Sequence, residues 1–385
     1  MKPGPTLAEL RRFAISRSLF GPTTLGRAIS KLGFVQADPI RAPARAQDLT
    51  LRHRVKNYRA GDLEKRYPKL GIEEDYFVNY GYLPETTHTL MHPRTARRVS
   101  TPAEEKSAKA VLAFVRENGS VHPRAVDAHF NHGKASNWFG GSSNVTTQLL
   151  DQMHYRGLLR VARRDSGTRV YAERKAAPHA TPDCLQQAAP IAADPHAALD
   201  ALIDAVVNLY APLPAATLGQ LVSKLMVGTP QWAAHRAVAL RRAKERLAHA
   251  TVEGLDWYWP RHEKIPASSA VPDQARLLAP FDPVVWDRLR FETFWGWAYR
   301  FEAYTPAPKR KLGYYALPFL WRDEIIGWGN VTLRDEQVVA DIGLAGKYKT
   351  SRALGRDFGP ALDEELTRLA VFLGASAAIW HWVKT

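Results

Sequence analysis

At 385 residues, 45% of them hydrophobic and 24% charged, the chain is neither disordered nor fibrous, and at roughly 150 residues per domain it holds two to four globular domains. A formal net charge of +15 and a pI of about 9.9 favour an anionic partner, nucleic acid first and an anionic membrane surface second. A single cysteine, Cys184, excludes an intrachain disulfide and any cysteine-built zinc or iron–sulfur site, as suits a reducing cytosol. The charged N-terminus (Lys2, Arg11, Arg12) has no apolar stretch behind it, so no signal peptide is expected. The most apolar run, Leu369 to Val383, is too short and interrupted to span a bilayer.

In chain order, Thr6 to Leu19 and Thr24 to Gly33 read as helices, followed by a strand carrying Gly33-Phe34-Val35-Gln36-Ala37-Asp38-Pro39-Ile40. If Val35 to Ile40 is extended, side chains alternate faces and Gln36 and Asp38 project together. A carboxylate beside an amide can hold a water and stabilise developing positive charge, which is what cleavage of a glycosidic bond needs. A Gln-x-Asp triplet is weak evidence alone, since a chain this long is expected to contain one by chance. Behind it come Arg41, Arg45, Arg52, His53, Arg54, Lys56 and Arg59, a cationic frame suited to a phosphate backbone.

The clearest unit runs from Ala103 to Ala172. A helix over Glu104 to Glu117 places Ala108, Val111, Leu112 and Val115 at helical spacing and stops at Asn118-Gly119. A short helix over His122 to Phe130 and a third opening at Ser143-Asn144-Val145 follow. A β-hairpin then turns at Asp165-Ser166-Gly167 and bears Arg160, Arg163, Arg164 and Arg169. Three helices and a basic hairpin make the winged-helix pattern, in which the third helix or the wing meets DNA. His196 to Tyr210, Pro214 to Leu225, Trp232 to Leu247 and the strand Asp256 to Trp259 repeat that order more loosely.

The expected architecture is therefore α+β: three tandem winged helices and a small, barrel-like C-terminal β-domain closed by a helix. Its divisions are 1–100 with the Gln-x-Asp triplet, 101–175, an Ala/Pro-rich linker at 176–195, 196–260, a second linker at 261–274, and 275–385. In the last division Tyr299 to Tyr304, Gly313 to Leu320, Glu324 to Trp328 and Gln337 to Ile342 read as strands. The closing helix starts near Pro360, with Asp363, Glu364 and Glu365 in its first turn. Within this domain, Phe281-Asp282-Pro283-Val284-Val285-Trp286-Asp287-Arg288 and Tyr304-Thr305-Pro306-Ala307-Pro308-Lys309-Arg310-Lys311-Leu312-Gly313-Tyr314-Tyr315 stand out, the second built on a rigid Pro306-Ala307-Pro308 turn. The turn sets Lys309, Arg310 and Lys311 at the tip of a hairpin flanked by aromatics, where they could clamp phosphates or simply be solvated.

These words, the Gln-x-Asp strand and the tandem winged helices resemble the crosslink-repair DNA glycosylases of the YcaQ and AlkZ type over nearly the whole chain. The resemblance implies three winged helices and a C-terminal β-domain around a concave channel, and excision of alkylated bases, including those tied in interstrand crosslinks. It implies that Gln36 and Asp38 are catalytic. Asp38 would stabilise the oxocarbenium-like sugar and polarise a water that Gln36 positions, without lysine chemistry. DNA contacts would fall to Arg41, Arg45, Arg52, His53, Arg54, Arg163, Arg164, Lys309, Arg310 and Lys311. No metal or organic cofactor is required. The implied partner is double-stranded DNA with alkylated or crosslinked bases, acted on by a monomer in the cytoplasm, at the nucleoid, with no membrane partner. Two places depart from the family pattern. Glu-Tyr-Trp-x-His-Glu becomes Asp75-Tyr76-Phe77-Val78-Asn79-Tyr80, and Gly-Arg-x-Asp becomes Gly327-Trp328-Gly329-Asn330.

Other candidates are weaker. His88 and His92, four residues apart, could ligate a metal from a helix, but the sequence offers no third ligand and a cap or surface pair is favoured. His122, His129 and His132 read as DNA-facing or solvated. Gly140-Gly141-Ser142-Ser143 lacks the lysine of a phosphate loop. The tryptophans read mostly as β-domain core, with Trp138 exposed beside the third helix. A non-catalytic winged-helix protein, either a transcription regulator or a lesion binder, is the rival reading, and a protein–protein scaffold a weaker third. A regulator needs no carboxylate facing DNA, where it would repel phosphates.

Overall fold

The computed structural model describes residues 4–95, 100–130, 134–136, 142–174, 194–267, 273–345, 348 and 354–383. Cys184, His132, Trp138, Gly140, Gly141 and nearly all of the 176–195 linker lie outside these. The chain divides into two compact units, one of Met1–Leu63, Asp204–Leu221 and Leu240–Thr385, the other of Glu64–Ile203 and Val222–Ala239. Among the described residues no helix is long and apolar enough to cross a membrane.

In the second unit, Thr101 and Glu104 form a capping box that starts the helix Pro102–Asn118. The strand Ser120–Val121, the helices Pro123–Phe130 and Val145–Tyr155, and the strands Leu159–Asp165 and Thr168–Glu173 follow. The hairpin turns on Ser166 and Gly167, both at positive φ, as a two-residue turn between twisted strands requires. Its second strand also pairs with the early short strand, Ser120 opposite Ala172 and Val121 opposite Tyr171. Residues 195–259 repeat this order except for the short hairpin Lys134–Ser136 and Ser142–Asn144, in whose place they carry a 3-10 turn: helix Pro195–Tyr210, strand Leu213–Pro214, helices Ala215–Gly228 and Arg236–Arg246, then strands Ala248–Val252 and Leu255–Trp259. Here too the last strand pairs back to the first, Tyr258 opposite Leu213.

The first unit opens with Leu7–Ser18, started by a Thr6–Glu9 capping box. The helix Leu25–Leu32 ends at Gly33, whose left-handed φ of 75° turns the chain into the short strand Val35–Gln36. The C-terminal part is a five-stranded sheet in sequential order: Ala275–Leu277, Leu317–Trp321, Glu324–Arg334, Gln337–Leu344 and Ala377–Trp382. The last pair is parallel, so the chain needs a crossover, and the helix Phe358–Leu373 supplies it. One apolar cluster joins Ile15 and Leu19 of the first helix to Leu278, Val284, Val285, Phe291, Tyr299, Leu320 and Ile325.

Several expectations are corrected. Among the described residues the C-terminal sheet is curled and keeps two edge strands, Ala275–Leu277 and Ala377–Trp382. Residues 299–304 are not a strand. Pro306 and Pro308 lack ladder donors, and the segment instead folds as a loop with a 3-10 turn at Ala307–Lys309, so the three cations do not cap a hairpin. The closing helix begins at Phe358, which puts Glu365 in its third turn. There Glu365 is fully buried, accepting the Leu277 N–H (2.8 Å) and pairing with Arg52 and Arg368. The apolar run after Leu369 breaks at Gly374 and continues as a strand.

At the centre of this unit the Arg54 guanidinium lies bidentate on Asp282 at 2.8 and 3.0 Å, both side chains fully buried. Arg54 also donates to the Ser18 and Thr50 carbonyls at 2.7 Å. Asp282 in turn caps the short helix Pro283–Trp286 by accepting the Val284 N–H. Deleting one partner of such a pair strands the other charge in the core, which costs about 3–5 kcal/mol. Asp282→Ala should therefore lower unfolding free energy in urea by about that amount; a loss under about 1 kcal/mol would mean the pair behaves as a surface one.

Candidate active site

The short strand delivers Gln36 and the turn after it delivers Asp38, each only 8% exposed. The strand stops at Gln36 rather than running on to Ile40 as the sequence suggested. The cause is local: Asp38 Oδ1 accepts the Ile40 N–H at 2.9 Å, an Asx-type turn that competes with extended backbone. Gln47, on the helix Ala46–Leu51, accepts the Asp38 N–H at 3.2 Å and so pins the turn from the other side. The Gln36 carbonyl oxygen accepts the indole N–H of Trp286 at 3.0 Å. Trp286 packs its ring against Tyr210, with centroids 4.8 Å apart.

Burial raises the Asp38 carboxyl above the ordinary aspartate value, and the Ile40 N–H only partly offsets this. Desolvation first, and then the nearby Asp38 charge, raise the phenol pKa values of Tyr304 and Tyr315. Trp286, Tyr304 and Tyr315 all fall within the two C-terminal words that stand out in the sequence, where no site role was assigned to them. A buried carboxylate, an amide held by its oxygen and neighbouring aromatics together can stabilise a cationic centre and place a water beside it.

The expected cationic frame separates into two groups. Arg54 belongs to the core, as above, and reaches no solvent. Arg52 pairs with buried Glu365 and donates to the Leu277 carbonyl. His53 Nε2 lies 3.0 Å from that same carbonyl, and burial followed by the charges of Arg52 and Arg276 holds its pKa well below the usual value, so it is neutral. These three hold the fold and are corrected as phosphate ligands. Arg164 pairs with buried Glu74 and is likewise engaged. Arg41, Lys309 and Lys311 are exposed, Arg45 and Arg310 half-buried. Arg163 is exposed, hydrogen-bonded to Asp165 and Ser120.

The second unit holds a polar cluster that the sequence reading placed on the surface. His88 and His92 are buried, and the Nε2 of each lies within 2.9 Å of Asp75 Oδ2. Asp75 thus supplies the third ligand-type side chain, and the three ligating atoms lie within 4.8 Å of one another. The Arg94 guanidinium sits 2.9 Å from the other Asp75 oxygen and bonds the Tyr76, Tyr155 and Gly228 carbonyls. Burial alone would raise the Asp75 carboxyl; Arg94 and the two imidazoles overcome it and hold it well below the usual range. The carboxylate's charge is thus already met by arginine. Tyr80 donates to Glu74 at 2.7 Å and Asn79 shapes the adjoining turn. The residues at the first departure from the family pattern are therefore structural here. Of the histidines read as DNA-facing, His129 stacks on Phe114 and His122 caps Arg124.

Comparison with known proteins adds two findings. A family described as "DNA glycosylase AlkZ-like" matches residues 29–372, a span that includes Gln36 and Asp38. Among solved structures, Streptomyces sahachiroi DNA glycosylase AlkZ is similar, with a TM-score of 0.59 at 13% identity, the match covering 99% of this chain and 100% of that one. At that identity the likeness concerns the fold.

The raised Asp38 pKa carries a sign for stability. The unfolded chain loses this proton near 3.8, the folded chain only at higher pH, so stability falls as pH rises between the two values. Asp38→Asn keeps the acceptor for Ile40 and removes the buried charge. It should unfold at higher urea than wild type near about pH 7, with the difference vanishing below about pH 3. A less stable variant near neutrality would contradict the assignment.

Proposed function

The chain belongs to the AlkZ-like family of DNA glycosylases, hydrolases that act on N-glycosyl bonds, and from this premise we propose that it repairs DNA by releasing bulky N7-alkylated purines through Asp38 and Gln36. An N7-alkylated purine is already cationic, so breaking its C1′–N9 bond releases a neutral base and needs no acid. As the bond stretches, the sugar gains oxocarbenium character. The Asp38 carboxylate stabilises that charge and then takes a proton from the water that attacks C1′. The products are the free base and an abasic site. Gln36 positions the water through its amide NH2. The Gln-x-Asp triplet contains no lysine, which favours a monofunctional enzyme with water as nucleophile.

The observation that carries this reading is the Trp286 indole on Gln36 Oε1. The indole holds the amide by its oxygen, and we take the NH2 end, two residues from Asp38 along the chain, as the donor to the attacking water. The raised Asp38 pKa supports it too, because a carboxylate poised nearer the working pH is the better proton acceptor. For the DNA we take the exposed cations Arg41, Lys309, Lys311 and Arg163, with Arg45 and Arg310 partly available, as phosphate contacts. Residues 101–175 and 196–260 share most of one element order, and we read both, with 1–100, as winged helices. Crosslinked bases cannot be fully flipped into a closed pocket, so an open channel would suit them. A regulator would gain nothing from a buried carboxylate, and family membership favours the enzyme.

Two experiments test the reading. Single-turnover release of N7-alkylguanine from a duplex, and from its interstrand-crosslinked counterpart, should fall at least roughly a hundredfold in Asp38→Asn, with duplex binding retained. Undiminished release would remove Asp38 from the chemistry. Trp286→Phe keeps the ring packing and deletes the indole donor, so turnover should drop about five- to tenfold, the worth of one hydrogen bond, with binding unchanged. In wild type the acid limb of the rate profile should lie above the ordinary aspartate range, activity rising with pH as Asp38 ionises; a limb at the ordinary value would contradict the raised pKa.

A further inference from the structure

The loop between Glu302 and Gly313 is built to hold its shape. Glu302, almost wholly buried, accepts the N–H groups of Lys311 (2.9 Å) and Leu312 (2.7 Å), which closes the loop at its base. Arg310 Nε donates to the Thr305 carbonyl at 2.7 Å across the middle. Asn330, from the second departure from the family pattern, donates to the Leu312 carbonyl at 2.6 Å. Gly313, at φ 117°, lets it approach: a Cβ there would sit 2.4 Å from the Asn330 side chain.

This tied loop displays two tyrosines in water. Tyr304 is 78% exposed, the most exposed of the large hydrophobic side chains described, and Tyr314 is 44% exposed. Tyr304 stands edge-on to Phe301, which packs on Phe281 and Tyr315, so an aromatic row runs from the interior out to Tyr304. Arg310 lies 5.0 Å over the Tyr314 ring, and Lys309 and Lys311 are exposed on the same loop. Both Tyr304 and Tyr315 are near enough to Asp38 to feel its charge. A large aromatic left in water costs hydrophobic free energy unless something covers it in use.

We propose that Tyr304, with Tyr314 beside it, is a stacking site for an unpaired nucleobase of the strand whose sugar is held at Asp38, the loop cations taking the phosphates that flank that base. The proposal rests on the glycosylase reading above and names the contact that keeps the opened strand in place. Charge complementarity selects the occupant. Exposed π faces interleaved with lysine and arginine fit a nucleotide, whose base stacks while its phosphate meets the cation. An apolar peptide would gain nothing from the three cations.

The test uses DNA that cannot be cleaved, so that it is independent of catalysis. The probes are a duplex with a tetrahydrofuran abasic analogue, which frees bases to unstack, and the same duplex without a lesion. Fluorescence anisotropy on the full-length protein should show Tyr304→Ala binding the abasic duplex roughly tenfold more weakly, the typical worth of one stacked base, with the intact duplex unaffected. Tyr304→Phe and Tyr304→Trp should restore the affinity, since the ring rather than the hydroxyl is needed. Equal affinity of Tyr304→Ala and wild type for the abasic duplex would overturn the proposal, as would an equal loss on both duplexes. If Asp38→Asn still released base, the glycosylase assignment of Asp38 would fall while this binding result stood on its own.

Discussion

The buried pair of Arg54 and Asp282 is the constraint on which the first unit depends. Two charges out of water are tolerable only when nearly every polar atom is met. Here the guanidinium answers a carboxylate and two carbonyls, and the carboxylate caps a helix besides. The geometry is specific because a bidentate arginine fork admits one orientation. It joins residues 228 positions apart and fixes the start of the helix Pro283–Trp286, from whose last residue the indole reaches Gln36. The orientation of one amide is thereby tied to a buried ion pair through this short helix.

Carboxylates in this protein sort by their company. Asp75 and Glu74 are almost wholly buried, yet arginines hold both below the ordinary range, and both serve structure. Among the described residues the Asp38 carboxylate accepts a hydrogen bond from the Ile40 N–H alone, so burial prevails and its pKa moves up. A buried acid that meets no cation among the described residues costs stability, and a positive charge brought to it would relieve that cost.

Periodic elements were legible in the sequence because their causes are local. Capping boxes at Thr6 and Thr101, the spacing of Ala108, Val111 and Val115, and the Ser166-Gly167 turn specify their own geometry. Where prolines and side-chain hydrogen bonds compete with the backbone, the sequence misled: residues 299–304 carry aromatic strand-formers but fold as a loop, and the strand at Gln36 stops where Asp38 turns back on Ile40. The run of basic residues after Asp38 misled for another reason. One-dimensional charge says nothing about burial, and Arg52, His53 and Arg54 face carbonyls and acids brought from residues 277, 282 and 365.

By itself, the sequence determined the basic character of the protein, its helices and hairpins, and the two-residue spacing of Gln36 and Asp38, because each rests on composition or on contacts a few residues apart. Only the tertiary structure decided which cations stay in solvent, that His88 and His92 converge on Asp75, that the Trp286 indole meets Gln36, and that the Tyr304 ring is left exposed on a tied loop. Those outcomes depend on side chains far apart along the chain meeting in one place. Whether a charge there is neutralised, or a ring left in water, follows from the neighbours that folding supplies.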